Sequence, residues 1–330
     1  MNFDTISLDA YRHGDSAARR AIAADVDRIL RSTGFLAITD HGVSAQLIDD
    51  VWVSARAFFD LPLEEKLLVR PPVGDPYGYF PATAESLARS MGEEQPPDLK
   101  ESFNIGPLDT PDGLDADGAA GFCYAKNYWP ERPADFEQTW RRYYAAMNTL
   151  AGHIMRLFAD ALDLEPDWFD DKIDHAISAM RVLNYPDIGA DPLPGQLRAG
   201  AHTDYGSLTI LKPDEAQGGL EIYTASGNWR TVPAIPEAFI INIGDLMARW
   251  TNDRWVSTLH RVANPPADTS GSTRRQSIVF FHQPNWDAEI RCIDSCLGGG
   301  ESPKYAPIAS GLHLMQKFTD SVVNAEAVRG

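Results

Sequence analysis

Apolar residues in the first sixty positions recur mostly at helical spacing. Over residues 16–32, SAARRAIAADVDRILRS, Ala21, Val26, Ile29 and Leu30 fall near one face, which predicts an amphipathic helix with Ser16 as its N-cap. Gly34 ends it, FLAIT (35–39) predicts a short strand, and Asp40-His41-Gly42 predicts a turn. A second helix over about 44–59 carries Leu47, Val51 and Phe58. The periodicity then lapses. Residues 70–133 are rich in Pro and Gly, and PPVGDPYGYFP and GPLDTPDGLDADGAAG read as loops. A long helix over about 134–162 restores the period with Phe136, Trp140, Tyr143, Tyr144, Met147, Leu150, Ile154, Leu157 and Phe158. That stripe predicts core packing rather than a cofactor surface.

From about 177 the texture becomes β. AMRVLNY (179–185), SLTILK (207–212), LEIYT (220–224), WRTVP (229–233), AFIINI (238–243), VSTLHRV (256–262) and RQSIVFFHQ (275–283) are short β-rich runs separated by Gly, Pro, Asn and Asp. A closing helix is expected over about 310–323. Helices, loops, a long helix, an antiparallel core and a last helix make an α+β order, not alternating βαβ. The natural division is 1–133, helical and loop-rich, and 134–330, the β core with its connecting helix, the two packing as one compact unit.

Composition narrows the class. The 330 residues carry 29 Lys and Arg against 47 Asp and Glu, a net charge of −18. Nucleic acid and anionic membranes call for clustered cations, so neither is an expected partner. No stretch approaches the roughly 20 apolar residues that span a bilayer. MNFDTISLDAYRHGD lacks the basic and apolar regions of a secretory signal. The cysteines are Cys123, Cys292 and Cys296, an odd and sparse set that suits a reducing cytoplasm. The C-x3-C pair at 292 and 296 has no second pair to complete a zinc site. A small-molecule substrate and a monomer or weak homo-oligomer are expected.

The candidate chemistry begins at GAHTDYG, 200–206. Residues i and i+2 of a strand share a face, so His202 and Asp204 project together and Thr203 turns away. An imidazole beside a carboxylate is two-thirds of a facial triad, although H-x-D is a common tripeptide. Among the eight histidines, the β core holds two candidates for a third ligand. His260 lies 56 residues past Asp204, enough chain to cross a sandwich and return, and is favoured; His282 stays open. Two His and one carboxylate leave three octahedral positions free for a co-substrate and O2, which suits iron(II) better than zinc. In RRQSIVFFHQ, Arg275 and Ser277 share a face opposite Gln276, and together they can grip a carboxylate. Tyr185, just before Pro186, can add a third bond to it.

With these residues the chain resembles the 2-oxoglutarate- and iron(II)-dependent oxygenases, in the branch of isopenicillin N synthase and plant flavonoid, gibberellin and 1-aminocyclopropane-1-carboxylate oxidases. DRILRSTGFLAITDHGV, RVLNYP, AHTDYGSLTIL, GGLEIY, FIINIGDLMARWTNDRWVSTLHRV and RRQSIVFFHQPN follow the family's order over nearly the whole chain. The resemblance implies a distorted double-stranded β-helix, or jelly roll, flanked by helices. It implies iron(II) on His202, Asp204 and His260, deciding against His282. It implies that Arg275, Ser277 and Tyr185 hold the distal carboxylate of 2-oxoglutarate, which O2 oxidises to succinate and CO2 while a substrate carbon is hydroxylated, desaturated or cyclised. Isopenicillin N synthase-like members turn the R-x-S pair on their own substrate and need no 2-oxoglutarate, so that oxidase is the first alternative. A non-catalytic jelly-roll binding protein is the second. Candidate substrate contacts are Tyr77, Tyr79 and Phe80 in DPYGYFP, Phe103 and Asn104 in KESFNIG, Arg181, Phe281, and Leu312 and Met315 in the closing helix.

Overall fold

The computed structural model describes residues 3–82, 86–93, 95–113, 118–187, 192–216, 218–298, 300 and 302–322. A short strand β1 (Thr5–Ser7) leads into α1 (Leu8–His13) and α2 (Ser16–Ser32). Strand β2 (Phe35–Thr39), α3 (Ala45–Phe59), α4 (Leu63–Leu67), β3 (Gly78–Phe80) and β4 (Glu101–Ile105) follow. Helix α5 (Phe136–Ala161) and the single turn α6 (Asp170–Ile173) precede β5 (Ala179–Tyr185), β6 (Ala199–His202), β7 (Leu208–Lys212), β8 (Leu220–Tyr223), β9 (Trp229–Thr231) and β10 (Phe239–Ile243). The chain ends through α7 (Asp245–Trp250), β11 (His260–Val262), β12 (Arg275–His282), β13 (Glu289–Ile290), β14 (Ile308–Ala309) and α8 (Ser310–Val322).

The strands form an eight-stranded sheet, ordered β1-β2-β10-β7-β12-β5-β4-β3, a four-stranded sheet, ordered β6-β11-β8-β9, and a two-stranded ribbon of β13 and β14. Among the described residues only β1 and β2 pair in parallel. The outer face of the large sheet presents Met180, Val182, Leu208, Ile210, Ile241, Ile278 and Phe280 to α5, in one buried cluster with Tyr143, Met147 and Ile154. The inner face presents Phe35, Ala37, Leu211, Ile240 and Val279 to Leu220 and Ile222 of the small sheet. Alternation along each strand separates the two sets. Two facing sheets packed in this way, with helices on the outside, are the jelly roll. No helix among the described residues is long and apolar enough to cross a membrane.

Several expectations change. The cap of α2 is Asp15, whose carboxylate accepts from the amides of Ala17 and Ala18 at 2.9 Å; Ser16 is already helical. Ala23, not Ala21, completes the buried face of α2, and Ala21 is exposed. The stretch 70–133 is not all loop, since it supplies β3 and β4 to the large sheet. Strand β4 escapes a hydrophobicity reading because ESFNI carries Glu101 and Asn104 while all five of its residues are buried. Glu101 is held by Lys66 at 2.8 Å, by Asn184 at 2.7 Å and by the Tyr79 hydroxyl. Strand β3 begins at Gly78 with φ +136, where a side chain would stand 2.5 Å from the Val69 carbonyl. In VSTLHRV only 260–262 are strand, and GAHTDYG is strand only to His202. The closing helix runs to Val322, and residue 323 lies outside the described residues.

Candidate metal centre and carboxylate pocket

The last residue of β6 and the first of β11 stand opposite each other, His202 against His260. Their rings lie 4.4 Å apart between centroids. Asp204, two residues beyond β6, places Oδ1 3.9 Å from His202 Nε2 and 3.7 Å from His260 Nε2. One ligand atom from each of the three falls within 4.8 Å of the others. Thr203 turns away, as the i, i+2 argument requires, and its hydroxyl donates to Asp245 at 3.2 Å. His282 is not part of this group. It sits an odd seven residues from inward-facing Arg275, so it points to the outer face, where Nδ1 meets the Ser207 hydroxyl at 2.8 Å.

The surroundings prepare these groups for a cation. His202 Nδ1 lies 2.8 Å from the Gly200 carbonyl and His260 Nδ1 3.0 Å from the Thr258 carbonyl. A carbonyl only accepts, so each ring carries its proton on Nδ1 and turns a bare Nε2 inward. Asp204 Oδ2 accepts from Thr209 Oγ1 at 2.6 Å and Asn242 Nδ2 at 2.7 Å, leaving Oδ1 for the centre. Burial and the neighbouring His260 push the His202 imidazolium down to about 3, against the pull of Asp204. Burial alone would raise Asp204, but the two imidazoles and the two hydrogen bonds outweigh it and hold the carboxyl below its ordinary value. Neutral imidazoles beside a carboxylate are the protonation states a metal needs. The nitrogen and oxygen donor set, without sulfur and with three ligands, fits iron(II) with open positions.

A second polar group lies on the inner face of the large sheet, opposite the small sheet that carries the two histidines. Arg275 pairs in register with Tyr185 across β12 and β5, its Cζ 5.3 Å from the Tyr185 ring centroid. Arg275 is 2% exposed, yet its Nε and Nη1 and the Tyr185 hydroxyl have no hydrogen-bond partner among the described residues. Ser277, also buried, is the next inward residue of β12. A buried guanidinium without a counter-ion is costly. A planar carboxylate would satisfy it. Arg198, not anticipated from the sequence, adds to the field. It is fully buried, its Cζ lies 5.9 Å from the same ring, and its guanidinium donates to the Thr273 carbonyl. Burial first, then repulsion from Arg275, lowers its pKa. Two buried cations around one tyrosine make a pocket for an anion.

The remaining sequence candidates divide by face. Asn104 and Arg181 are opposite in register on the inner side of β4 and β5, and Asn104 Oδ1 is buried with no partner among the described residues. Phe281 is inward on β12 and half-buried. Phe80, partly buried, pairs with Ser102. Tyr79 and Phe103 face outward and pack on Phe58, with Phe103 also against Phe136 and Trp140, so the expectation that they line the substrate space is corrected by strand parity. Tyr77 is buried and donates to the Cys123 carbonyl at 2.9 Å. Leu312 is exposed and Met315 half-buried on α8. That helix packs on the 3-10 turn at 87–91. Phe318 of α8 meets Tyr205, the neighbour of Asp204, in a cluster with Phe122, Tyr124 and Trp286. Sequence reasoning missed this cluster along with Thr209 and Asn242, although both of the latter lie on strands at inward parity.

A jelly roll with two histidines at the ends of β6 and β11 and an aspartate just beyond β6, gathered between its sheets and facing an unpaired buried arginine, defines a mononuclear non-haem iron oxygenase. The chain belongs to the 2OG-Fe(II) oxygenase superfamily. The model of that superfamily matches residues 177–284, and the model described as non-haem dioxygenase in morphine synthesis N-terminal matches residues 3–132. A validamycin A dioxygenase of Streptomyces hygroscopicus subsp. limoneus is 33% identical over 89% of this chain and 80% of its own length. A 2-oxoglutarate-Fe(II) type oxidoreductase of Emericella nidulans is 33% identical over 96% and 89%. The crystal structure of a full-length Neurospora crassa protein in complex with alpha-KG and thymine superposes with a TM-score of 0.84 at 29% identity, covering 96% of both chains. The protein is a 2-oxoglutarate-dependent dioxygenase whose cofactor is iron(II).

Proposed function

We propose that His202, Asp204 and His260 hold the iron, that Arg275, Ser277 and Tyr185 hold the distal carboxylate of 2-oxoglutarate, and that a small polar molecule is oxidised beside them. The observation that carries this reading is the unpartnered Arg275 guanidinium and Tyr185 hydroxyl, buried on the inner face of the large sheet, which faces the small sheet that carries the two histidines. Iron with 2-oxoglutarate supplies oxygen activation, converting the keto acid to succinate and CO2. The chain's residues orient and exclude. Thr209 and Asn242 fix which Asp204 oxygen faces the metal. Arg198 and Arg275 attract the dianion. Asn104, Arg181 and Phe281 offer a polar and aromatic wall for the substrate, and Leu312 and Met315 of α8 are further candidate contacts. The relative named for validamycin A and the fold neighbour crystallised with thymine support a small-molecule substrate.

The test is succinate release, stimulated by substrate, across a panel of small polar metabolites. Release that needs iron(II) and 2-oxoglutarate and disappears in Asp204→Ala is the expected result. Iron-independent release, or turnover unchanged by Arg275→Ala at low 2-oxoglutarate, would overturn the assignment. We read residues 1–133 and 134–330 as one folding unit, because strands of the first complete the sheet of the second. Three free thiols support a reducing, cytoplasmic setting, and a monomer or weak homo-oligomer is the expected state.

A further inference from the structure

Strand β6, which ends in His202, is the edge of the small sheet, and no strand among the described residues covers its outer side. The chain before β4 lies there instead. Leu99 N donates to the Leu197 carbonyl at 3.0 Å, Gln196 Nε2 to the Pro97 carbonyl at 2.8 Å, and Gly200 N to Asp98 Oδ1 at 3.0 Å. Asp98 Oδ2 accepts from Leu87 N at 3.1 Å and from Lys100 Nζ at 2.6 Å. Asp98 and Lys100 are 2% and 3% exposed. A side chain on Gly200 would come within 3.0 Å of Ala88, so the 3-10 turn at 87–91 closes directly on the strand. Gly200 is also the residue whose carbonyl takes the Nδ1 proton of His202 at 2.8 Å.

A buried ion pair is weak support for stability, since two desolvation costs stand against one attraction. This pair has another use. The Asp98 carboxylate is pinned on one oxygen by Lys100 and Leu87, and with the other it fixes the backbone of the residue that steers a metal ligand. We propose that Asp98 is a positioning residue for the iron, holding His202 in register through Gly200, and that Lys100 neutralises and anchors Asp98. The inference rests on the iron reading above. It assigns part of the metal site to the N-terminal stretch, which supplies no ligand.

The test separates positioning from stability with two variants of the full chain, under anaerobic titration with iron(II) in the presence of 2-oxoglutarate. Asp98→Leu with Lys100→Met replaces the pair by apolar side chains of similar size and removes the acceptor for both Gly200 N and Leu87 N, so some stability is lost with it. Loss of a partner outside the ligand shell costs metal affinity about 10-fold or more. The folded fraction of the double variant is therefore expected to bind iron about 10-fold more weakly and to show a displaced charge-transfer maximum. Lys100→Met alone leaves the Gly200 tie in place, so it is expected to lose stability while its folded fraction keeps the wild-type iron affinity and maximum. A double variant with wild-type affinity and maximum would overturn the proposal, as would iron affinity that tracks stability across both variants. Absence of any band in the unmodified protein would count against the iron site itself, and persistence of the band in His202→Ala would do the same.

Discussion

The two faces of the eight-stranded sheet are built from alternate residues of the same strands and follow opposite rules. Outward, Phe58, Phe103, Phe136 and Trp140 interlock at ring distances of 4.3–5.3 Å, and the charged Glu101 among them has three partners. Inward, the guanidinium of Arg275, the hydroxyl of Tyr185 and the amide oxygen of Asn104 are buried without partners among the described residues. The outer face turns its side chains on one another. The inner face keeps polar atoms in reserve for molecules that come and go. The outer face has orphans too, since Trp140 Nε1 and Gln276 Oε1 are buried without partners among the described residues, but on these strands the ionised group left in that state, Arg275, is inward, and it is the unpaired charge that marks function.

That contrast can be broken by substitution. The largest effect belongs to the ligands: Asp204→Ala or His202→Ala is expected to abolish the iron–2-oxoglutarate absorption band in folded protein, read by anaerobic spectroscopy. On the outer face, Phe103→Ala should cost about 3–5 kcal/mol in denaturant unfolding, while the remaining folded fraction binds 2-oxoglutarate normally; weakened binding there would mean the faces are not independent. Arg275→Ala should do the reverse, raising the 2-oxoglutarate dissociation constant by about 30-fold or more, with stability held or improved because an unpaired buried charge has gone.

His282 gives a sharper case, being a histidine on the outer face. Its replacement by Gln should leave the absorption band intact and change the acid limb of stability. Burial pushes the folded His282 down to about 4 from an ordinary 6.5. The unfolded chain therefore takes up the proton first. The stability available above pH 6.5 is lost as pH falls from there toward 4, and the variant should show a flatter profile in that window. Loss of the band in this variant would place His282 at the metal after all. The smallest effect is that of Tyr185→Phe, where losing one hydroxyl is worth about 1 kcal/mol, or roughly 5-fold in 2-oxoglutarate affinity.

Much of this is legible in the chain because strand parity is simple arithmetic. The i, i+2 spacing of His202 and Asp204, and of Arg275 and Ser277, anticipates the shared face even though β6 stops before Asp204. The choice between His260 and His282 is open to the same rule. An inward Arg275 and an odd interval of seven put His282 outward, yet the sequence reading reaches that choice only through the family resemblance. What stays hidden has a physical reason. Strand β4 carries Glu101 and Asn104 in buried places, and the partners that hold Glu101 lie far along the chain, so no local average reveals it. Tyr79 and Phe103 look like pocket residues because they lie beside Pro- and Gly-rich segments, and only pairing with a neighbouring strand fixes which way they turn.

The strand order has a consequence for how the molecule comes into being. Strand β2 is made early, but besides the short β1 its neighbour is β10, some two hundred residues later; β4 likewise lacks β5 until the long helix has been synthesised. During translation the first half of the protein therefore emerges with unpaired apolar edges and no means of closing them, the condition in which nascent chains aggregate or recruit chaperones. The last metal ligand, His260, arrives only after β10, so the iron site cannot be completed before the β2 edge has a partner to close it. Metal capture falls late in biogenesis, when little of that edge need remain exposed.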